Sequence, residues 1–130
     1  MLRYGWTVAV LAYCGLIYYL SDQSMLPVPH VFDVQDKLIH AVAYAVMAFF
    51  FWQAGKAWMV HQGLRHWRLL AVICVLFCSF YGLSDEWHQS FTAGRDASVF
   101  DWLADTIGAL LLTIILQKRE FMVFTAQGIV

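Results

Sequence analysis

Residues 80–112 read FYGLSDEWHQSFTAGRDASVFDWLADTIGALLL. The stretch holds five of the nine acidic residues of a 130-residue chain, and it lies between two apolar runs long enough to enter a membrane. Residues 69–80 carry no charge, and after Asp105 none follows until Lys118. Leu83, Trp87 and Phe91 continue the upstream run at a four-residue apolar spacing, which predicts a helix over about 69–91 with Glu86 and Gln89 as an i, i+3 pair. Residues 92–97, TAGRDA, form a turn in which Gly94 supplies backbone freedom. Ser98 followed by Asp101 matches a capping box with Asp in place of Glu. It opens a helix over about 99–117, which Lys118 and Arg119 end, and Asp101, Asp105 and Gly108 share one stripe of it.

The same pattern extends outward. Residues 4–20, YGWTVAVLAYCGLIYYL, form an apolar run that ends in Tyr18-Tyr19-Leu20 without a small-x-small cleavage pattern, so a retained membrane helix is expected rather than a secretory signal. Residues 21–37 form a loop in which Pro27 and Pro29 exclude helix. Asp33 is positioned to cap the next helix, with Asp36 in its first turn. That helix spans about 34–60. Lys37, His40 and Tyr44 are spaced i, i+3, i+7 and share one face, with Tyr44 about 10 Å below Lys37. The helix is apolar as far as Trp52, and residues 53–68 make a polar, basic connection. The tail FMVFTAQGIV is too short to cross a bilayer, which takes about 20 residues, and is expected along the interface.

Composition supports a bilayer setting. The chain is 62% hydrophobic and 13% charged, whereas soluble domains carry about 25% charged residues. A soluble domain this small has too much surface for its volume to hide so many apolar side chains. The formal charge of −1 excludes the basic face that a nucleic-acid partner requires. Cys14, Cys74 and Cys78 are odd in number and lie inside apolar runs, so they are read as packing residues rather than a disulfide framework or a zinc site. Most of the tryptophans suit an aromatic belt, and Gly108 a close helix–helix approach.

The expected architecture is all-α: an integral membrane four-helix bundle with short loops, a single domain over 1–130. Four spans put both termini on one side. Arg3, Lys56, Arg65, Arg68, Lys118 and Arg119 fall on that side and only Lys37 and Arg95 on the other, which predicts cytoplasmic termini.

The polar residues then gather at the outer ends of the second, third and fourth helices. Some lie a turn or more below those ends, where ionisable groups are costly in lipid and should face one another. Lys37, His40 and Tyr44 come from the second helix, Asp85, Glu86, His88 and Gln89 from the third, Asp101 and Asp105 from the fourth, and Arg95 from the turn. Several have ordinary structural explanations. Lys37 and Arg95 can neutralise carboxylates, Asp36 and Asp101 sit in first helical turns, and His88 lies near the headgroups. His40, Glu86 and Asp105 are in no natural capping position and are the candidate catalytic groups. Clustered buried carboxyls can serve as acid or base near neutral pH. Lys37, Tyr44, Asp85, Gln89, Arg95 and Asp101 are the candidate binding residues. His40 with Glu86, Asp101 and Asp105 could also hold a divalent cation.

Taken in series, Asp36-Lys37-x-x-His40-x-x-x-Tyr44, Tyr81-Gly82-x-Ser84-Asp85-Glu86-x-His88-Gln89, Gly94-Arg95 and Asp101-x-x-x-Asp105-x-x-Gly108 resemble the VanZ-like membrane protein family over about residues 33–112. This chain has Asp105 where the family often has Asn, Leu112 where a second Gly is common, and Ala93 where a Pro often precedes the Gly-Arg pair. The resemblance implies a multi-pass protein of the bacterial inner membrane with a role at the cell envelope, in a family named for a link to resistance to the glycopeptide antibiotic teicoplanin. It implies no defined reaction. Two functions follow from the cluster. One is binding or processing of an anionic lipid or lipid-linked cell-wall precursor, with Arg95 and Lys37 on a phosphate. The other is a non-enzymatic accessory role in which the cluster serves folding and partner docking. Transport is disfavoured, because apart from Gln53 no polar path runs through the cytoplasmic halves of the helices.

Overall fold

The computed structural model describes residues 1–24 and 34–126. They form four α-helices: α1 Leu2–Ser21, α2 Gln35–His61, α3 Trp67–Gln89 and α4 Val99–Ala126. All four are long and apolar enough to cross a membrane. Leu11, Val42, Val72, Leu76, Ile107, Leu111 and Ile115 lie exposed along them. A monomer in water would not present so continuous an apolar surface; in a bilayer it is the lipid-facing surface.

The helices alternate in direction, so α2 and α4 run parallel, as do α1 and α3. The α2–α4 pairing is the most extensive in the bundle, α1 and α3 touch least of the pairs that meet, and α1 and α4 do not meet among the described residues. Gly108 explains the first fact. A Cβ there would run into the backbone carbonyl of Ala41, so the two helices meet backbone to backbone, as small residues permit in membranes. Several ring donors tie one helix to the next. Tyr81 donates to the Cys14 carbonyl at 2.6 Å, Tyr13 to that of Ala43 at 3.0 Å, and Trp102 to that of Ser79 at 3.0 Å. These bonds satisfy hydroxyl and indole groups that lipid cannot.

The expected spans hold with two corrections. Helix α4 does not stop at Lys118 and Arg119 but runs on to Ala126. Charge ends an apolar run without ending a helix: Lys and Arg are good helix formers, and no Gly or Pro intervenes. The added turns are anchored. Glu120 pairs with Lys56 of α2, and Arg68 lies over the Phe121 ring at 5.8 Å. The 28-residue helix is about 42 Å long, more than the hydrocarbon core requires. The tail therefore does not separate from the bundle through residue 126, and residues 127–130 lie outside the described part.

The second correction concerns α3, which ends at Gln89, with Ser90 as its C-cap. Trp87 and Phe91 are 69% and 72% exposed, so the apolar spacing that carried the expectation to residue 91 marks a lipid-facing stripe. Nor do all the tryptophans form a belt: Trp52 and Trp67 are buried against each other in the core. The expectations for Pro27, Pro29 and Asp33 fall outside the described residues, and the N-cap position of α2 is Val34. Cys74 and Cys78 pack in the core beside Tyr44, Met47 and Ala48.

Candidate functional site

The parallel run of α2 and α4 places the Lys37–His40–Tyr44 face against the Asp101–Asp105–Gly108 stripe. Lys37 pairs with Asp101, and one turn deeper His40 Nδ1 lies 3.0 Å from Asp105 Oδ1. Beside them, Ala41 abuts Gly108. Each contact links positions 64 to 67 residues apart, so one helix register sets them all. With Asp105 ionised, Nδ1 is the donor and Oδ1 the acceptor. Lys37 also reaches Asp36 at 3.3 Å, so its charge is engaged twice.

Helix α3 supplies the third wall, with Asp85, Glu86 and Gln89 buried. Glu86 does not pair with Gln89. Its Oε2 accepts the Ser98 backbone N–H at 2.7 Å, at the start of α4. Gln89 instead donates to Asp85 Oδ2 at 3.2 Å, one full turn away. The capping box is rearranged for the same reason: the Ser98 N–H that Asp101 would have taken goes to Glu86, and Asp101 goes to Lys37. Residue types at the right spacing were present, but partners on neighbouring helices took both ends. Gly94 adopts φ +82° in the turn that makes this possible.

Asp85 is also held from α1, where Ser21 Oγ donates to its Oδ1 at 2.5 Å. Ser21 was missed by sequence reasoning. A lone serine closing an apolar run carries no signal until the register of α1 on α3 is known. Arg95 donates through Nη2 to the Leu20 carbonyl at 3.1 Å. His88 is apart from the cluster, stacked on Tyr18 with Asp22 3.8 Å away.

These residues divide into two adjoining groups. A cavity of about 270 Å³ is bounded by α1, α2, α3 and the α3–α4 turn, with Ser21, Asp36, His40, Tyr44, Asp85, Gln89 and Arg95 among its polar lining. Ile17, Leu20, Ile39 and Ala43 make its apolar part. Glu86, Asp101 and Asp105 do not line it. His40 belongs to both groups: the ligand atoms of His40, Glu86 and Asp105 lie within 4.8 Å of one another, as do those of Asp36, His40 and Asp101. The candidate catalytic residues thus converge. Lys37 is engaged by Asp101 and Asp36, whereas Arg95 lines the cavity and forms no ion pair among the described residues.

A family model described as VanZ/LLP1 matches residues 6–122. An uncharacterized protein of Schizosaccharomyces pombe, C11E3.10, is 32% identical over 106 residues, covering 78% of this chain and 58% of that protein. The chain thus spans less than two thirds of that relative's length. No solved structure matches.

Proposed function

The chain belongs to the VanZ/LLP1 family, and from that premise we propose that it is a multi-pass protein of the bacterial inner membrane that binds, and through His40 and Glu86 processes, an anionic lipid or lipid-linked cell-wall precursor. The observation that carries this reading is the two-sided lining of the cavity. At about 270 Å³ it is near the lower end of ligand-pocket sizes and accommodates a headgroup rather than a whole lipid. Leu20 and Ile39 line it and are also exposed on the bundle surface, so a chain attached to the headgroup can lie outside against α1 and α2. In this reading Arg95 holds a phosphate by charge-assisted bonds, Ser21 and Gln89 offer hydrogen bonds, and Asp105 orients His40 as acid or base. A part in the response to glycopeptide antibiotics is the biological setting that the family's name suggests. The fungal relative shows that family membership alone carries no bacterial address; loop charge supports the orientation with cytoplasmic termini.

Polyprenyl phosphate binding to the purified protein in nanodiscs tests the reading. The phosphate lipid should bind at least about tenfold more tightly than phosphatidylcholine, and Arg95→Gln should remove that preference, since a charge-assisted phosphate contact is worth more than a neutral one. Equal affinity for the two lipids would sink it. The orientation is tested separately. Ala93→Cys, at an exposed position of the α3–α4 turn, should react with a membrane-impermeant maleimide added from outside the cell. Labelling confined to inverted vesicles would reverse the topology.

One observation favours the accessory reading. Ser21–Asp85, Glu86–Ser98 and Lys37–Asp101 each join two elements of the bundle. A network built only to hold the bundle would look like this, and the variants argued in the Discussion separate the two readings.

A further inference from the structure

At this end of the bundle four buried oxygens have no hydrogen-bond partner among the described residues, Tyr44 Oη, Glu86 Oε1, Asp101 Oδ1 and Asp105 Oδ2, and of these Asp101 Oδ1 is ion-paired with Lys37. Asp105 is 0% exposed and Glu86 6%. Among the described residues, four carboxylates are buried at this end of the bundle, those of Asp85, Glu86, Asp101 and Asp105. Lys37 offsets Asp101, and Ser21 and Gln89 hydrogen-bond Asp85. Among the described residues Glu86 has no ion pair, Asp105 has only His40, and the ligand atoms of all three lie close together. Two carboxylates this close and this dry are unfavourable to bury unless something positive joins them.

We infer that His40, Glu86 and Asp105 form a binding site for a divalent first-row transition cation. Their ligand atoms lie within 4.8 Å of one another, a span that one ion can bridge. One imidazole nitrogen with two carboxylates is a mixed set that suits such an ion better than the all-oxygen shells of calcium or magnesium. Three protein ligands leave coordination positions open, as in catalytic rather than structural sites. The alternative group of Asp36, His40 and Asp101 fits less well, because Lys37 already engages both of its carboxylates and Asp36 is exposed. The floor of the site is specific as well. A Cβ at Gly82 would come 2.9 Å from Asp105 Oδ2 and 3.3 Å from the Tyr44 ring, so the space beside the free oxygen exists only because residue 82 has no side chain. Glu86 and Asp105 do not line the lipid cavity and His40 does, so the cation would sit beside the headgroup, on the residues to which the lipid reading assigns acid–base work; its binding is measured without lipid and is separable from that reading.

The test is a Co²⁺ titration of tag-free protein stripped with EDTA in detergent, followed by visible d–d absorption and Zn²⁺ competition. One equivalent should bind saturably and be displaced by Zn²⁺. Glu86→Gln and Asp105→Asn should each weaken binding by about tenfold or more, on the scale that removing even outer-shell partners of metal ligands produces. Gly82→Ala, which keeps every donor, should also weaken it, and Asp96→Asn in the exposed turn should not. Zn²⁺ should raise the unfolding temperature of the unaltered protein and of Asp96→Asn but not of the two ligand variants, whose own cooperative unfolding shows that they are folded. Absence of a saturable cobalt spectrum, or unchanged affinity in Glu86→Gln and Asp105→Asn, overturns the site. No cobalt binding by the unaltered protein, with its polyprenyl phosphate binding intact, removes the cation site alone. Retained cobalt binding with no lipid preference removes the lipid reading alone and supports the site.

Discussion

Gly108→Leu should leave little folded protein. A Cβ at this position meets the carbonyl oxygen, carbonyl carbon and Cα of Ala41. Those are backbone atoms of a helix and cannot rotate aside as a side chain would. Overpacking a core costs about 1–3 kcal/mol when neighbours can yield; here α4 must move bodily away from α2, so the loss is expected at about 3 kcal/mol or above. The pairing disrupted is the largest in the bundle. Separating the helices also parts His40 from Asp105 and Lys37 from Asp101, leaving buried carboxylates without their partners. Gly5 and Gly15 of α1 are the internal controls, because nothing lies within 4 Å of a Cβ at either. Gly15→Ala should be neutral or stabilising by up to about 1 kcal/mol through helix propensity alone. Unfolding in mixed micelles, followed by far-ultraviolet circular dichroism, checks both variants. A wild-type midpoint for Gly108→Leu would mean that α2 and α4 are not in the register described.

That register is also the dividing line between what the sequence disclosed and what it hid. Facts of local spacing were legible: the shared face of Lys37, His40 and Tyr44, the stripe of Asp101, Asp105 and Gly108, the turn at Gly94, and the four apolar spans. All of these follow from the helical repeat and from what lipid tolerates. Facts that depend on how one helix slides along another were not. Gln89 could reach Asp85 or Glu86 with similar ease, and α4 decided the matter by offering the Ser98 N–H to Glu86. Lys37 suggested a phosphate contact until Asp101 arrived from the far side of the sequence to engage it. The length of α4 failed for a different reason. Lys118 and Arg119 signal the end of apolar surface, and the helix continues because Glu120 finds Lys56 on the neighbouring helix. In each case the residue type was informative and its partner was not.

Glu86→Gln and Asp105→Asn should unfold no earlier than the unaltered protein, yet lose polyprenyl phosphate turnover by about 100-fold or more. The amides are isosteric and keep the one hydrogen bond that each carboxylate makes. The amide oxygen introduced at position 86 can still accept the Ser98 N–H, and the one introduced at position 105 can still accept from His40 Nδ1, so the geometry at 2.7 Å and 3.0 Å has no reason to change. What disappears is a charge at a site that is almost dry. Burying an ionised carboxylate costs several kcal/mol even after relaxation, and its attraction to a partner offsets this only when its remaining lone pairs are satisfied. Here one oxygen of each is not. With EDTA present to exclude any metal contribution, neutralising either group should leave the stability unchanged or raise it by up to about 1 kcal/mol, less than the full burial cost because the charged hydrogen bond is weakened as well. A site maintained against stability in this way is the signature of function. General acid–base contributions are typically about 10²–10⁴-fold, which sets the expected loss. A network selected for folding predicts the reverse: each substitution would destabilise the protein by about 2 kcal/mol, on the scale of a lost charged hydrogen bond, while lipid binding in the surviving folded fraction stayed as it was. Stability and lipid handling measured on the same preparations therefore decide whether His40, Glu86 and Asp105 serve to act on a ligand or to hold three helices together.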